Sequence, residues 1–231
     1  MRLMKSIIRN GLLVVLLILE HLVSTRLTFV ITSNFEYMNL LKPALCGFFI
    51  LSGVNTGGID MAKNVIISTE LGDLTLELNY EKALHTAGYF AEETLKGTFD
   101  GGSIFRIVTE ANAAMRQHSK IEVIQMGVNW PEEQANHDIL HEPTSVTGLK
   151  HKKWTVSAAR FALHKNYPSF FICMRDEPVL DEGGPRHPDG LGFAAFGELI
   201  GGFKVAEKIF SRAEPEEFMK NEIKILSAKL A

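Results

Sequence analysis

The chain has 231 residues, 46% of them hydrophobic, enough for one domain with a sizeable core and additional segments. A formal net charge of −3 argues against the basic surface of a nucleic-acid-binding protein. Two cysteines, Cys46 and Cys173, cannot build a disulfide framework, and Cys173, inside an apolar run, reads as a small buried hydrophobe.

Residues 1–60 differ from the rest. Arg2, Lys5 and Arg9 precede the uncharged run Gly11–Leu19, the order of charge and apolarity found in an export signal. Glu20, His21 and Arg26 interrupt what would otherwise be a full membrane span of ~20 residues. A second apolar stretch, Pro43–Ser52, follows Met38-Asn-Leu-Leu-Lys42 and reads as a small signal peptide beginning at Met38. Neither stretch ends in a small-x-small cleavage site, and Pro43-Ala-Leu before Cys46 matches a lipoprotein signal poorly. Alternatively, Met61-Ala-Lys-Asn64 marks the translation start and residues 1–60 are partly an over-extended reading frame. The favoured expectation is a bacterial cell-envelope protein, periplasmic or membrane-associated through residues 1–60; a start at Met61 would leave it cytoplasmic.

The globular part is expected over residues 61–231. Asn64–Glu70 and Asp73–Leu78 flank Leu71-Gly72, and Leu74, Leu76 and Leu78 alternate with polar residues, so a hairpin with one buried face is predicted. Ala83, Ala87, Phe90, Ala91 and Leu95 recur at helical spacing, with Gly97 placed to cap the C-terminus. Ser103–Thr109 is a predicted strand on which Ile104, Arg106 and Val108 share one face and Phe105 and Ile107 the other. An arginine between apolar neighbours must find acceptors or open onto a cleft. Further strands are predicted at Ile121–Gly127, Trp154–Ala159, Ser169–Met174, Phe193–Leu199 and Glu222–Leu226. Trp130–Gly148 and the Gly-, Pro- and Asp-rich Arg175–Gly192 read as loops, and Val205, Ala206, Ile209 and Phe210 mark a second short helix. Many short strands with two helices argue a mainly β barrel or sandwich, and the pattern alone does not choose between them.

Four segments in this order resemble the cyclophilins, the peptidyl-prolyl cis-trans isomerases: Ser103-Ile-Phe-Arg-Ile107, Val123-Ile-Gln125, Ser169-Phe-Phe-Ile-Cys-Met174 and Phe193-Ala-Ala-Phe-Gly197. The resemblance extends from about Val65 to about Leu226. It implies a closed eight-stranded antiparallel barrel capped by two helices, with no sheet edge left open. It also implies isomerisation of X–Pro bonds in polypeptides by a monomer without cofactor or metal.

That reaction is slow because amide resonance sets a barrier of ~18–20 kcal/mol. A catalyst needs a pocket for proline and a donor aimed at the twisted amide, and no nucleophile. By resemblance Arg106 is that donor, and Gln125 binds the substrate backbone and orients the arginine. Phe171 forms the pocket floor, Val123, Leu180 and Phe193 line it, and the peptide runs along Ala159-Arg160. Strand alternation sends Phe170 the other way, into the core. The stretch Pro185–Gly192 is similar to that of a bacterial subset of the family.

Several positions depart from the family. Glu122 replaces an aromatic wall, Met126 a glycine, Ser169 a Gln or Glu, Val179 a tryptophan, Phe193 a pocket histidine, and Trp154 a glycine seen in many bacterial members. Glu122 is expected near Arg106, where it would compete with substrate and leave a slow or narrowed isomerase. Two rival readings are weighed. His137-Asp-Ile-Leu-His141 has the spacing of helical zinc sites, but Asp stands where zinc peptidases need Glu and a third ligand is lacking, so loop histidines are the expectation. The pocket could also hold proline peptides as a chaperone module without useful catalysis.

Overall fold

A computed structural model of the chain describes residues 63–113, 119–135, 137–163 and 165–231. The leader expected over residues 1–60, with Cys46, lies outside the described residues.

Strands β1 (Asn64–Thr69) and β2 (Gly72–Leu78) form the predicted hairpin, pairing from Asn64 with Glu77 to Thr69 with Gly72. Val65, Ile67, Leu74, Leu76 and Leu78 turn inward, as the alternation requires. Helix α1 spans Leu84–Leu95. Gly97, at φ +71°, ends it: its N–H reaches the Thr94 carbonyl at 3.1 Å and the Thr98 N–H reaches Glu93 at 3.1 Å, the paired bonds of a Schellman cap.

The remaining elements are β3 (Ser103–Val108), β4 (Val123–Gly127), the single turn α2 (Thr144–Thr147), β5 (Thr155–Arg160), β6 (Asn166–Cys173), β7 (Ala195–Gly201), α3 (Phe203–Phe210) and β8 (Phe218–Leu230). The strands close in the order β1-β2-β7-β5-β6-β4-β3-β8, each antiparallel to its neighbours, so every long edge is paired. The closed eight-stranded barrel is the architecture the resemblance implies.

Inside lies one apolar core. Phe90 of α1 stacks on Phe196 at 4.2 Å and meets Phe170 edge-on at 5.5 Å, while Ala206 and Ile209 of α3 join the same cluster. Truncating a core phenylalanine of this kind costs about 3–5 kcal/mol. Phe170 faces this core and Phe171 the outside, as predicted.

Three strands depart from the sequence-based expectation. In β3 the register shifts between Ile104 and Arg106, so Phe105 is a bulge residue. Ile104 and Ile107 therefore share the core side, while Arg106 and Val108 face outward; the predicted grouping of Ile104 with Arg106 is corrected. Strand β8 runs from Phe218 where only Glu222–Leu226 was expected, because Lys220, Glu222 and Lys224 occupy its solvent face and mask the buried Met219, Ile223 and Ile225. Strand β6 begins before Ser169, and Pro168 sits where the β5–β6 ladder is interrupted, so its missing N–H costs no ladder bond.

Trp154 has φ +77° and is the only non-glycine residue with positive φ among the described residues. Its N–H reaches Cys173 O at 2.7 Å and its carbonyl accepts from Leu199 N–H at 2.9 Å, so both neighbouring strands hold the backbone there. A family glycine at this position fits that conformation without steric cost. Here the ring is retained against Phe203, at 5.2 Å, with Lys153 over it at 4.5 Å. Trp154→Ala and Trp154→Gly both lose the ring, but only glycine relieves the left-handed backbone. Chemical denaturation is expected to find the glycine variant more stable than the alanine variant by about 1 kcal/mol. Equal stabilities would mean the backbone is not strained.

Candidate active site

The outer face of β3, β4, β5 and β6 forms a second apolar cluster, and the pocket opens from it. Alternation places Val123 and Gln125 of β4 outward while Ile124 and Met126 enter the core. The same rule turns Phe171 outward from β6, and the β3 bulge turns Arg106 toward them. Ala159 and Arg160 come from the end of β5, and the loop after β6 brings Leu180, Arg186 and Phe193 over the top.

The cavity so formed measures ≈ 240 Å³. That is below the ~300–1,000 Å³ usual for drug-sized ligands. All eight residues singled out from the sequence line it: Arg106, Val123, Gln125, Ala159, Arg160, Phe171, Leu180 and Phe193. Phe171, 6% exposed, meets Phe193 edge-on at 5.5 Å.

Arg106 is held from two sides. Its Nη1 donates to Gln125 Oε1 at 3.0 Å, its Nε donates to Glu217 Oε2 at 3.0 Å, and its Nη2 donates to the same carboxylate. Phe218 lies under the guanidinium, 5.4 Å from ring centre to Cζ. A guanidinium has five N–H donors, so two remain. Gln125 is fixed in turn: its amide nitrogen donates to Tyr167 Oη at 2.9 Å and to Ser169 Oγ at 3.2 Å. Ser169 Oγ donates onward to Met126 O at 3.2 Å. Burial raises the Tyr167 phenol above its ordinary value, so it stays a neutral acceptor for the Gln125 amide.

The expected Glu122–Arg106 pairing is corrected. Glu122 is not among the pocket-lining residues and lies beside Arg175, while the carboxylate on Arg106 is Glu217. Ile121 and Val123, one position either side, line the pocket instead. Met126 is fully buried in the core, so the loss of the family glycine does not touch the pocket.

Arg160 borders the cavity with its donors already committed. Nη1 and Nη2 grip Asp189 at 2.7 and 2.9 Å, and Nε and Nη2 reach Gly192 O at 3.0 and 2.6 Å. The Arg160 hydrogen bonds hold the Asp189 carboxyl well below the usual carboxylate range. The side chain therefore pins the loop that carries Phe193, over whose ring it lies at 5.5 Å.

His151 Nδ1 lies 2.8 Å from Asp181 Oδ1 and its Nε2 2.9 Å from Ser157 Oγ, the hydrogen-bond chain of a hydrolytic triad. Ser157 and His151 are 0% and 1% exposed, so no substrate reaches the hydroxyl. The imidazole stacks on Phe171 at 6.1 Å, so this network supports the pocket floor. His137 and His141 diverge: His137 Nδ1 is 2.9 Å from Tyr89 Oη in an isolated bridge, and His141 Nε2 is 3.0 Å from Leu191 O. Burial lowers the His141 imidazole below its ordinary value. Cys173 is a buried free thiol, pushed up by burial.

Several residues at the site were not found from the sequence, among them Tyr167, Arg186, Glu217 and Phe218. Tyr167 was within reach, since stepping back by twos from Phe171 through Ser169 arrives at it. Glu217 and Phe218 close the Glu-rich stretch from Glu214, which reads as solvated turn, and Arg186 sits in an irregular loop without periodicity.

Residues 64–230 match the family profile "Cyclophilin type peptidyl-prolyl cis-trans isomerase/CLD". The chain is 27% identical over 147 residues to peptidyl-prolyl cis-trans isomerase cyp18 of Streptomyces antibioticus, covering 63% of this chain and 81% of that protein. It is 28% identical over 147 residues to peptidyl-prolyl cis-trans isomerase A of Dickeya dadantii, covering 63% and 70%. Among solved structures, a Cryptosporidium parvum cyclophilin-type isomerase crystallised in the presence of the dipeptide Ala-Pro matches with a TM-score of 0.56 at 19% identity, covering 73% of this chain and 98% of that one. At that identity the likeness concerns the fold.

Proposed function

Since the chain belongs to the cyclophilin-type peptidyl-prolyl cis-trans isomerases, we propose that its catalysis of X–Pro isomerisation runs through Arg106 above the Phe171 pocket. Proline-containing polypeptides are the substrates, with the proline ring seated among Val123, Phe171, Leu180 and Phe193. As the C–N bond twists, resonance is lost and the nitrogen regains a lone pair. The two remaining N–H groups of Arg106 donate to that nitrogen or to the displaced carbonyl, a charge the planar ground state does not present. Gln125, tied to Tyr167 and Ser169, holds the guanidinium so that little reorganisation is needed. The carrying observation is the convergence of Arg106, Gln125 and Phe171 on one cavity.

A second reading, a proline-peptide-binding module with weak catalysis, is favoured by the Glu217 carboxylate on Arg106. A protease-coupled assay on a proline tetrapeptide separates the two: turnover above the uncatalysed rate supports the enzyme, and binding without turnover supports the module. For residues 1–60 we propose export to the cell envelope, supported by Arg2, Lys5 and Arg9 ahead of Gly11–Leu19. Cell fractionation with N-terminal sequencing is expected to find the native protein in the envelope fraction; a cytoplasmic protein that starts at Met1 or at Met61 would refute it. No helix among the described residues is long and apolar enough to cross a membrane.

A further inference from the structure

The pocket wall carries three arginines and a deficit of partners for one of them. Arg106 is paired with Glu217 and Arg160 with Asp189. Arg186 also lines the cavity, and among the described residues no carboxylate lies within ion-pair distance of it. Its one side-chain hydrogen bond there is Nη1 to Ser119 O at 3.3 Å. The acidic groups that influence it at longer range are engaged: Glu177 accepts from Arg175 Nε at 2.7 Å and from Glu122 N–H at 2.7 Å, and Glu217 holds Arg106. Burial and then the neighbouring Arg106 charge push the Arg186 guanidinium down to about 10, an effect that Glu217 and Glu177 only partly offset, and it stays charged at neutral pH.

We infer that Arg186 is a specificity residue that selects peptides bearing an anionic side chain, carboxylate or phosphate ester, on the residue immediately before or after the isomerising proline. The inference rests on the isomerase reading of the same pocket. Three features support it. With proline seated against Phe171 in a cavity of ≈ 240 Å³ that Arg186 also lines, a group that meets Arg186 belongs to a residue flanking the proline. Successive Cα atoms are 3.8 Å apart, which brings a neighbouring Asp, Glu or phosphoserine side chain within reach of the same wall. Arg160, the other arginine near the strand-like peptide path, has its fork filled by Asp189 and Gly192 and has no bidentate face left to offer. Among the described residues Arg186 donates from its side chain only to Ser119 O, which leaves most of its donors for such a partner.

The test uses the full chain and a set of tetrapeptides that differ only at the residue before or after proline: Glu, phosphoserine, Gln or Lys. Exchange rates are read by NMR, which involves no coupling protease. Glu or phosphoserine peptides are expected to show kcat/KM about tenfold above Gln, the scale of one charge-assisted hydrogen bond, with Lys below Gln. Whichever anion gives the larger gain names the group selected. Arg186→Gln is expected to reduce the preference to within about twofold and Arg186→Lys to keep part of it. Raising salt to 1 M, where the screening length is about 3 Å, is expected to shrink the preference in the unaltered protein, an arm that needs no variant to fold. Equal rates for Glu, Gln and Lys peptides, or a preference unchanged in Arg186→Gln, would overturn the inference while leaving the isomerase reading standing. If no peptide is turned over, the isomerase reading falls instead, and equilibrium titration of the same series still decides whether Arg186 selects anions.

Discussion

Arg106→Ala is expected to lower kcat/KM for a proline tetrapeptide by about 10²-fold or more, with the fold retained. The magnitude is that of removing one donor from a site built around developing charge. The loss belongs in kcat, because a group that acts on the twisted amide does not contribute to holding the flat one. Arg106→Lys is expected to lose nearly as much. A lysine is a point charge on a flexible stem and cannot bond Gln125, Glu217 and substrate from one planar fork. Stability is expected to fall as well, because the Arg106 and Glu217 side chains are only 19% and 11% exposed and the substitution leaves the carboxylate without this partner. One outcome would sink the mechanism: Arg106→Ala turning over the peptide at the unaltered rate. A drop seen only in KM would move Arg106 from transition-state donor to substrate-binding group.

The fold was legible because its signals are local. Leu74, Leu76 and Leu78 show the period of a half-buried strand, and Phe170-Phe171 must split between two faces of whatever strand holds them. Closure into a barrel was not local, and only the likeness of four segments to a known family supplied it. The pocket floor and its glutamine were readable for the same reason. What escaped reading has a physical cause in each case. A bulge adds one residue, so every face assignment in β3 slips at Phe105, and no composition signal marks it. Glu122 is expected near Arg106 because it stands where the family has an aromatic pocket wall, yet alternation points it away from the face that carries Gln125. Glu217 lies 111 residues from Arg106 along the chain, and only closure of β3 against β8 brings the two together.

Glu217 also carries the second large prediction. A carboxylate on the guanidinium of the proposed donor has two opposed effects. It fixes the arginine, and it spends donors and neutralises charge that the transition state would otherwise use. Here the first effect is redundant. Gln125 already fixes Nη1, and Tyr167 and Ser169 fix Gln125. Phe218 supports the guanidinium from below. The second effect therefore dominates, and Glu217→Gln is expected to raise kcat/KM about fivefold. The estimate follows from the difference of about 1 kcal/mol between a hydrogen bond to a charged acceptor and one to a neutral acceptor. The amide oxygen keeps an acceptor beside Nε, so the geometry survives while the competing charge goes. The gain is expected in kcat with KM little changed. Stability should fall by about 1–3 kcal/mol, since the side chains are only 19% and 11% exposed and a charge-assisted bond becomes a neutral one. Glu217→Ala separates the two effects further: it removes both charge and acceptor, so a gain smaller than that of Glu217→Gln measures what positioning is worth. If Glu217→Gln lowers kcat instead, the carboxylate positions Arg106 rather than competing with substrate, and a slow isomerase would then need a cause elsewhere in the pocket.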